Sequence, residues 1–537
     1  MIFAIMAMIL LPLAMALLLL SPALRPMVVR GLGLAPLPAL LLPPAAWEGS
    51  ISTVSFFGTW RYVLDQAGAL LLGACALLWI IAGSAASRWL AGRGGQGRFA
   101  LWWLLTLSGS LGVFVAGDVV SFYALYALAS LPAYGLIAFG GGGAERRAGR
   151  VTIAAALIGE GLILAAMVLL AVNAPGQGLA IAPLVAALPS SPHCGAVIAL
   201  LVIGFGLKIG LVPLHGWMPM SYAAGPLIAT AVLSGATSKA GLIGLIRFLP
   251  LSEAMPVAGG MILAAGLVSA LYGALLGLTQ ANPRSVLAYS SISQLGQMAA
   301  VLGAGLAAGA PGAGVIAAYY AVYHVLVKGG LFLWLGAQGR RIAAWQLGLV
   351  GFAALGFAGL PLTGGALGKL AFKDLAGTGA TGMLFSFAAV GSTLLVLHFL
   401  RLARAPAQDP QPQPLSPAAW IAAVIAATLL QWTLFAAVTG DSARSALRPG
   451  ALFDLAWPVA AGAALAWGLA ALGTRLPAFP PGDIGERLIA IIERQATRIA
   501  SAILRAETQA HQWQVSTLAL AAALILFVAL QTVFGPR

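Results

Sequence analysis

The chain has 537 residues, of which 61% are hydrophobic and only 8% are charged, and Lys+Arg number 28 against 14 for Asp+Glu. A soluble domain has about 45–50% apolar and about 25% charged residues, so the composition excludes a soluble enzyme. The 67 Gly and 31 Pro are compatible with membrane helices, which tolerate both residues. The sequence therefore predicts an all-α polytopic membrane protein.

A membrane-crossing helix requires about 20 mostly apolar residues. By that criterion the chain is expected to have about 14–16 transmembrane helices. The sixteen candidate spans are 2–20, 29–46, 66–87, 99–116, 119–140, 151–172, 195–217, 225–249, 256–278, 285–306, 312–337, 346–368, 380–400, 417–438, 455–473 and 513–533. The first lacks a basic leader and a small-residue cleavage site, so we expect a retained helix rather than a signal peptide.

The arginines indicate the orientation of these spans. If alternate loops face the cytoplasm, starting with the loop of Arg25 and Arg30, that side collects most of the arginines outside the spans. Both termini are then outside, in a bacterial-type inner (cytoplasmic) membrane. The same bias accounts for the net charge of +14 without a nucleic-acid partner.

Residues 481–511 have a different pattern. Four arginines, at 487, 494, 498 and 505, recur on one helical face, and isoleucines and leucine occupy the opposite face. This pattern predicts a short amphipathic helix on the membrane surface or on a neighbouring subunit, before a last span in 512–537. A solvated linker helix is the alternative.

All lysines of the chain lie within or at the edge of predicted spans, whereas the loop cations are arginines. The five lysines are Lys208, Lys239, Lys328, Lys369 and Lys373. An ionisable group in the bilayer costs several kcal/mol, from about 2.5 to above 10, so these positions require a function. Since a lysine can exchange its proton in a protein and an arginine remains charged, the first four lysines predict a proton relay. Lys373, which an aspartate follows, is instead expected at the membrane interface.

Other polar residues in the spans support the relay. His324 and Lys328 are four residues apart and so share a helix face. His215 follows Lys208 by seven residues and shares its face if the helix continues. Glu160 is the only acid well inside a predicted span.

Glycine and proline flank two of the lysines, in residues 204–213 and 359–369. Such residues beside a buried charge predict discontinuous helices at corresponding positions of two structural repeats, as in many transporters.

The sequence has no cofactor motif. Cys75 and Cys194 are too few for a disulfide framework or a zinc site, and nucleotide, haem, iron–sulfur and flavin motifs are missing. We therefore expect no metal, no cofactor, no catalytic residues and no bond-making chemistry in this chain.

Five stretches, in family order, resemble the antiporter-like subunits shared by respiratory complex I, membrane-bound hydrogenases and Mrp-type cation/proton antiporters. They are residues 208–219, 233–247, 287–296, 324–332 and 359–369. The resemblance covers roughly spans four to thirteen. It implies two inverted five-helix repeats with broken helices at spans seven and twelve, and buried lysines and histidine joined by water.

The resemblance also implies individual roles. Lys208 would be the central lysine of the first half, and Lys239 with His324 or Lys328 would connect the halves. Lys369 would be the exit-side residue of the second half.

The sequence departs from the family at one important position. Asp118 matches the family's aspartate in span five, but the glutamate that normally pairs with the span-seven lysine is replaced by Ala127. Glu160, one helix later, either takes over as the partner of Lys208 or has a structural role.

These observations predict N-terminal helices in 1–98, an antiporter-like core in 99–404, further helices in 405–480, a lateral helix in 481–511 and a final helix in 512–537. The expected function is proton translocation in a complex I-related assembly of the NADH-quinone oxidoreductase or hydrogenase type. The alternatives are a subunit of an Mrp-type sodium/proton antiporter and an ion-coupling partner in inorganic-carbon accumulation. The expected partners are other membrane subunits, the lipid bilayer and protons, with sodium under the first alternative.

Overall fold

The computed structural model describes residues 2–47, 51–54, 60–339, 342–377, 379–404, 415–472 and 483–510. The prediction of an all-α membrane protein is confirmed, with the addition of one short β-hairpin. The predicted last span in 512–537, most of the 405–416 loop and residues 473–482 lie outside the described residues.

The α-helices are α1 (Ile2–Leu18), α2 (Arg25–Arg30), α3 (Gln66–Leu90), α4 (Gln96–Gly112), α5 (Val119–Ser130), α6 (Ala133–Ile137), α7 (Gly143–Asn173), α8 (Ile181–Ala187), α9 (Cys194–Ile209), α10 (Trp217–Ala224), α11 (Leu227–Val232), α12 (Lys239–Phe248), α13 (Pro256–Gly277), α14 (Pro283–Ala308), α15 (Ala313–Ala337), α16 (Ala344–Leu355), α17 (Gly364–Ala371), α18 (Lys373–Ala376), α19 (Ala380–Ala403), α20 (Pro417–Thr439), α21 (Pro449–Leu472) and α22 (Ile484–Ala510). A π-helical segment, Leu233–Thr237, joins α11 to α12. The 3₁₀ helices are Leu37–Leu41, Pro43–Trp47, Ala138–Gly140, Leu188–Ser190 and Ala443–Leu447. The strands β1 (Ile51–Val54) and β2 (Arg61–Leu64) pair antiparallel, with Ile51 opposite Leu64.

Within the described residues, nine helical segments are long and apolar enough to cross a membrane. They confirm an integral, multi-pass membrane protein. Four shorter apolar segments, at Ile2–Leu18, Ile181–Ser190, Cys194–Ile209 and Ala344–Leu355, add to them. Three of these four coincide with predicted spans that the structure shortens or breaks.

The predicted span at 29–46 is wrong. Helix α2 ends at Arg30, and turns followed by two 3₁₀ helices occupy the segment. Prolines such as Pro36 and Pro43 interrupt it, because proline lacks a backbone N–H and disrupts a continuous α-helix.

Glycines bring α13 and α14 into backbone contact. Gly259, Gly266 and Gly273 recur at seven-residue intervals along α13, and a Cβ on Gly266 would lie only 2.5 Å from the Ala300 nitrogen. Small residues at such interfaces let membrane helices approach closely and pack well. The contact fixes α14, which carries many of the buried polar side chains.

The most buried spans are those that carry lysines. In Leu227–Phe248, which includes Lys239, 100% of the most apolar stretch is buried inside the protein. In α15, which includes Lys328, the corresponding share is 89%. By comparison, only 33% of the most apolar stretch of α7 is buried. These two lysines therefore lie among protein side chains and not against lipid.

Two charged residues fix the hairpin to the helices. Asp118 caps α5 by accepting from the Ser121 backbone nitrogen at 2.8 Å, and it also accepts from the Arg61 nitrogen at 2.6 Å. The Arg247 guanidinium donates to the carbonyls of Phe114 at 2.6 Å and Val63 at 3.1 Å.

The chain divides into two units, Met1–Pro481 and Gly482–Arg537. In the second unit, α22 has the predicted amphipathic character. Ile484, Leu488 and Ile491 are exposed on it, as are Arg487 and Arg494.

Arg247→Met is expected to lower the free energy of unfolding by about 2–4 kcal/mol, because several partly buried carbonyls lose a charged donor. Thermal or denaturant unfolding in detergent measures this change. Arg61→Met is the matched control, since its side chain is exposed, and we expect a change within about 0.5 kcal/mol. Equal losses in the two variants would contradict the assignment.

Candidate functional site

The first broken helix positions Lys208. Helix α9 ends at Ile209, where Gly210 adopts a left-handed conformation with φ of 71°, and α10 begins at Trp217. The Trp217 indole donates to the Leu207 carbonyl at 2.7 Å and so satisfies one of the carbonyls left open at the end of α9. Lys208 lies in the last turn of α9, where the helix dipole favours a cation.

The second broken helix positions Lys369. Helix α16 ends at Leu355, and α17 begins at Gly364 after Thr363, whose side chain accepts from the Ala366 nitrogen. Lys369 lies on α17, after its break, whereas Lys208 lies before its own break. The predicted helix discontinuities are confirmed, and the inverted repeat itself stays a prediction.

Lys208 and Glu160 lie close together. The Lys208 ammonium donates to the Ser130 hydroxyl at 2.8 Å and lies 5.7 Å from the centre of the Tyr126 ring. The buried Glu160 carboxylate interacts electrostatically with both Lys208 and the Ser130 hydroxyl. Ser130 thus lies near both charges. Glu160 occupies the position of a partner for Lys208, although it comes from α7 and not from α5.

A cavity extends from Lys208 towards the π-helical segment. Its lining includes the polar side chains of Ser130, Thr152, Thr237 and Ser238 as well as Lys208. It offers about 30 Å³ to the centres of water molecules, and about 10–15 Å³ is enough for one water. The cavity can therefore hold a short chain of water between Lys208 and Ser238.

Beyond that cavity, Lys239 and His324 form the closest contact between titratable side chains of the relay. The fully buried Lys239 ammonium lies 2.6 Å from His324 Nδ1, 3.1 Å from the Ser238 hydroxyl and 3.2 Å from the Ser234 carbonyl. Ser234 belongs to the π-helical segment, and such segments alter the regular hydrogen-bond pattern of a helix. The irregular backbone thus helps to hold the ammonium.

The hydrogen-bond geometry restricts the protonation of this pair. A lysine ammonium has donors only, so His324 Nδ1 must accept and the imidazole must be neutral with its proton on Nε2. If the imidazole carries the extra proton, Lys239 must be a neutral amine. The contact therefore accommodates at most one excess proton on the two side chains.

Lys328 lies one helical turn from His324 on α15. Its ammonium donates to the Leu287 carbonyl at 3.0 Å and lies 4.8 Å from the centre of the Phe357 ring. Lys239 and Lys328 both act electrostatically on His324. A change of charge on any of the three groups therefore affects the other two.

Polar residues of α14 and α15 continue towards Lys369. Tyr320 precedes His324 by one turn and donates its hydroxyl to the Gln294 side chain. Gln297, one turn further along α14, accepts from the Lys369 ammonium at 2.9 Å. The structure therefore places Lys369 at the far end of this polar line.

His215 lies apart from Lys208 along the chain, because α9 stops before reaching it. It is buried in the break, and its ring packs 5.2 Å from the Tyr272 ring and 6.3 Å from the Tyr289 ring. His215 was expected to share the helical face of Lys208 only if the helix continued, and the helix ends at Ile209.

Three residues of this line were missed from the sequence: Ser130, Gln297 and Tyr320. Two of them have a helical spacing that the sequence does show. Tyr320 lies four residues before His324, and Gln297 lies three residues after Gln294, so each shares a helix face with another polar residue. Nothing in the sequence connects Ser130 to Lys208, which is 78 positions away.

Within the part of the chain that the structure describes, twelve buried side-chain nitrogen and oxygen atoms have no hydrogen-bond partner in the protein. Three of the twelve belong to the line from Lys208 to Lys369: Glu160 Oε1, His324 Nε2 and Gln297 Nε2. Buried polar groups are almost always satisfied, and buried water commonly completes them. These three atoms are therefore candidate positions for water along the line.

The family model for the NADH:quinone oxidoreductase/Mrp antiporter transmembrane region matches residues 116–396, just over half of the chain. The chain belongs to this family. The match includes Glu160, the four lysines from Lys208 to Lys369, and both broken helices.

Individual relatives come from several kinds of assembly. The chain is 32% identical over 300 residues to NADH-quinone oxidoreductase subunit N of Desulforudis audaxviator, covering 51% of this chain and 58% of that protein. It is 34% identical over 188 residues to a hydrogenase-4 component F homolog of Methylacidiphilum infernorum, covering 30% of this chain and 37% of that protein. The matches thus span little more than half of these relatives at most.

A solved structure shows the same fold. The Mrp complex of Dietzia sp. DQ12-45-1b includes a chain that superposes with a TM-score of 0.75 over 98% of this chain and 63% of that chain, at 22% identity. Identity this low establishes the shared fold alone.

Gly235 lets the π-helical segment before Lys239 pack closely against α3 and α15. A Cβ at this position would lie 2.2 Å from Leu78 Cδ2 and 2.7 Å from the Val325 carbonyl oxygen. We expect Gly235→Ala to destabilise the fold by about 1–3 kcal/mol, measured by thermal unfolding, because the helices must separate.

Gly260→Ala, on α13, is the matched control because nothing lies within 4 Å of its added Cβ. Adding Leu78→Ala to Gly235→Ala should not restore the full stability, since the Val325 carbonyl is backbone and cannot move aside. A wild-type stability for Gly235→Ala alone would show that the packing is looser than described.

Proposed function

We propose that this chain is a proton-translocating, antiporter-like subunit of a complex I-related membrane assembly. The observation that carries the proposal is the polar line from Lys208, through the cavity and Ser238, to Lys239 and His324, and on through Gln297 to Lys369. Family membership and the names of the relatives support the choice of assembly.

The mechanism is proton transfer coupled to charge. A proton arriving at Lys208 is stabilised by the charge of Glu160. Water in the cavity, together with the Ser238 hydroxyl, provides the path to Lys239, which shares one excess proton with His324. A second positive charge entering this low-dielectric region raises the energy of the first and drives it onward towards Lys369.

His324 passes the proton onward from the Lys239–His324 pair. Its two ring nitrogens have different surroundings, because Nδ1 lies 2.6 Å from the Lys239 ammonium and the buried Nε2 has no hydrogen-bond partner among the described residues. Accepting a proton on one nitrogen and releasing it from the other moves charge along the line without moving the ring. Lys328 acts on this step through its charge.

The orientation follows from the arginines. We place both termini outside an inner membrane and the arginine-rich loops in the cytoplasm. The partners are other membrane subunits, which would supply the energy that this chain lacks. Identification of the co-purifying subunits decides among a quinone-reducing, a hydrogenase-type and an inorganic-carbon system.

Lys239→Met is expected to reduce proton translocation to about 1% or less of wild type, because the central carrier is lost. A pH-sensitive dye in vesicles measures translocation by the chain with its co-purifying subunits, under an imposed membrane potential. Arg150→Gln is the control, since Arg150 is an exposed cation of α7 outside the polar line. Wild-type rates in Lys239→Met would overturn the relay.

Glu160→Gln is expected to lower translocation about tenfold or more, because Lys208 loses its charged partner. Adding Ala127→Glu should restore much of the rate, since it returns a carboxylate to the family position, one turn before Ser130 on α5. If the single variant is fully active, Glu160 has only a structural role.

Sodium/proton exchange is the second candidate, because the chain has the fold of a chain in the Mrp complex over 98% of its length. Sodium prefers oxygen ligands, whereas the described part of the polar line is dominated by lysines. We therefore expect that adding sodium to acid-loaded vesicles leaves the internal pH unchanged. Sodium-dependent alkalinisation would favour the exchanger.

A further inference from the structure

Beyond Lys369, the structure contains a second cavity, of about 310 Å³, that reaches two oppositely charged surface residues. Lys369, Lys373 and Asp454 all line it. Asp454 comes from α21, outside the polar line described above.

Lys373 and Asp454 form an ion pair at this cavity. The Lys373 ammonium lies 2.6 Å from Asp454 Oδ2, and the two side chains are 52% and 45% exposed. An ion pair this exposed contributes little to stability. Packing therefore does not explain why a chain so poor in acids places a carboxylate beside the cavity of Lys369.

We propose that Asp454 is the proton acceptor on the surface side of Lys369. The inference rests on the proposed function and adds to it the group through which the second half exchanges protons with bulk solvent. Lys373 is a positioning residue, which holds the carboxylate at the mouth of the cavity.

The transfer balances in two steps. The Lys369 ammonium releases a proton through water entering the cavity, and the Asp454 carboxylate becomes a neutral carboxylic acid while Lys369 becomes a neutral amine. Asp454 then loses the proton to bulk solvent and pairs again with Lys373. While Asp454 is neutral, the unpaired charge of Lys373 opposes the return of a proton to Lys369.

The charged groups near the mouth can be separated by mutation. Lys369, Lys373 and Asp454 line the cavity, whereas Asp374 is exposed next to Lys373 and does not line it. Asp374→Asn is therefore a matched control, since it removes the same charge from a neighbouring position.

In vesicles, Asp454→Asn is expected to slow translocation about tenfold, Asp454→Glu to restore at least about half of the rate, and Asp374→Asn to resemble wild type. Lys373→Met should slow the rate less than Asp454→Asn, because the carboxylate remains. Equal losses in Lys373→Met and Asp454→Asn would reveal a structural ion pair and overturn the proposal, as would a fully active Asp454→Asn.

A second measurement does not depend on translocation. In pH-difference infrared spectra of the purified chain, Asp454→Asn should remove one carboxylic-acid band, and Lys369→Met should shift the pH at which that band appears. If the pH at which the band appears is the same in Lys369→Met as in the wild type, the inference is overturned. If wild-type vesicles move no protons while the infrared coupling is present, the proposed function fails and the link between Asp454 and Lys369 stands.

Discussion

The structure depends on one constraint: lysines placed inside a bilayer must each find hydrogen-bond acceptors. Regular helices use most of their own carbonyls, so acceptors become available chiefly where a helix is irregular or where a polar side chain is buried with the lysine. Lys328 is the exception, since it donates to the Leu287 carbonyl within the regular helix α14. The π-helical segment before Lys239 supplies one such carbonyl, from Ser234. Lys208 and Lys369 lie beside breaks and take a hydroxyl and an amide oxygen from neighbouring helices. The irregularities of this fold are therefore located by its charges.

Much of the fold follows from the sequence because bilayer thickness imposes a simple length rule. That rule failed at 29–46, where apolar residues are present but prolines prevent an α-helix. The four lysines from Lys208 to Lys369 were recognised because charge is so rare in the spans that each one is conspicuous. His324 and Lys328 were placed on one face because the i, i+4 relation is local. The position of His215 depended on whether α9 continued, and the break at Gly210 decides it.

The partners of the lysines could not be predicted, because they are contributed by distant segments. Ser130 is 78 positions from Lys208, Gln297 is 72 from Lys369, and Asp454 is 81 from Lys373. Serine and glutamine are also common enough in membrane helices that composition does not distinguish them. Glu160 was identifiable as an acid in a span, but only the packing of α7 against α9 shows that it reaches Lys208. Helix packing thus supplies the information that the sequence pattern lacks.

Among the described residues, carboxylates lie near the two ends of the polar line and not near its middle. Glu160 lies near Lys208 at one end and Asp454 lies near the cavity of Lys369 at the other, while Lys239, Lys328 and Lys369 make their hydrogen bonds to neutral groups. A positive charge is therefore stabilised most at the ends and least in the middle, where two like charges within a low-dielectric region repel strongly. In the proposed relay, a second positive charge that enters this centre leaves it towards whichever end is vacant.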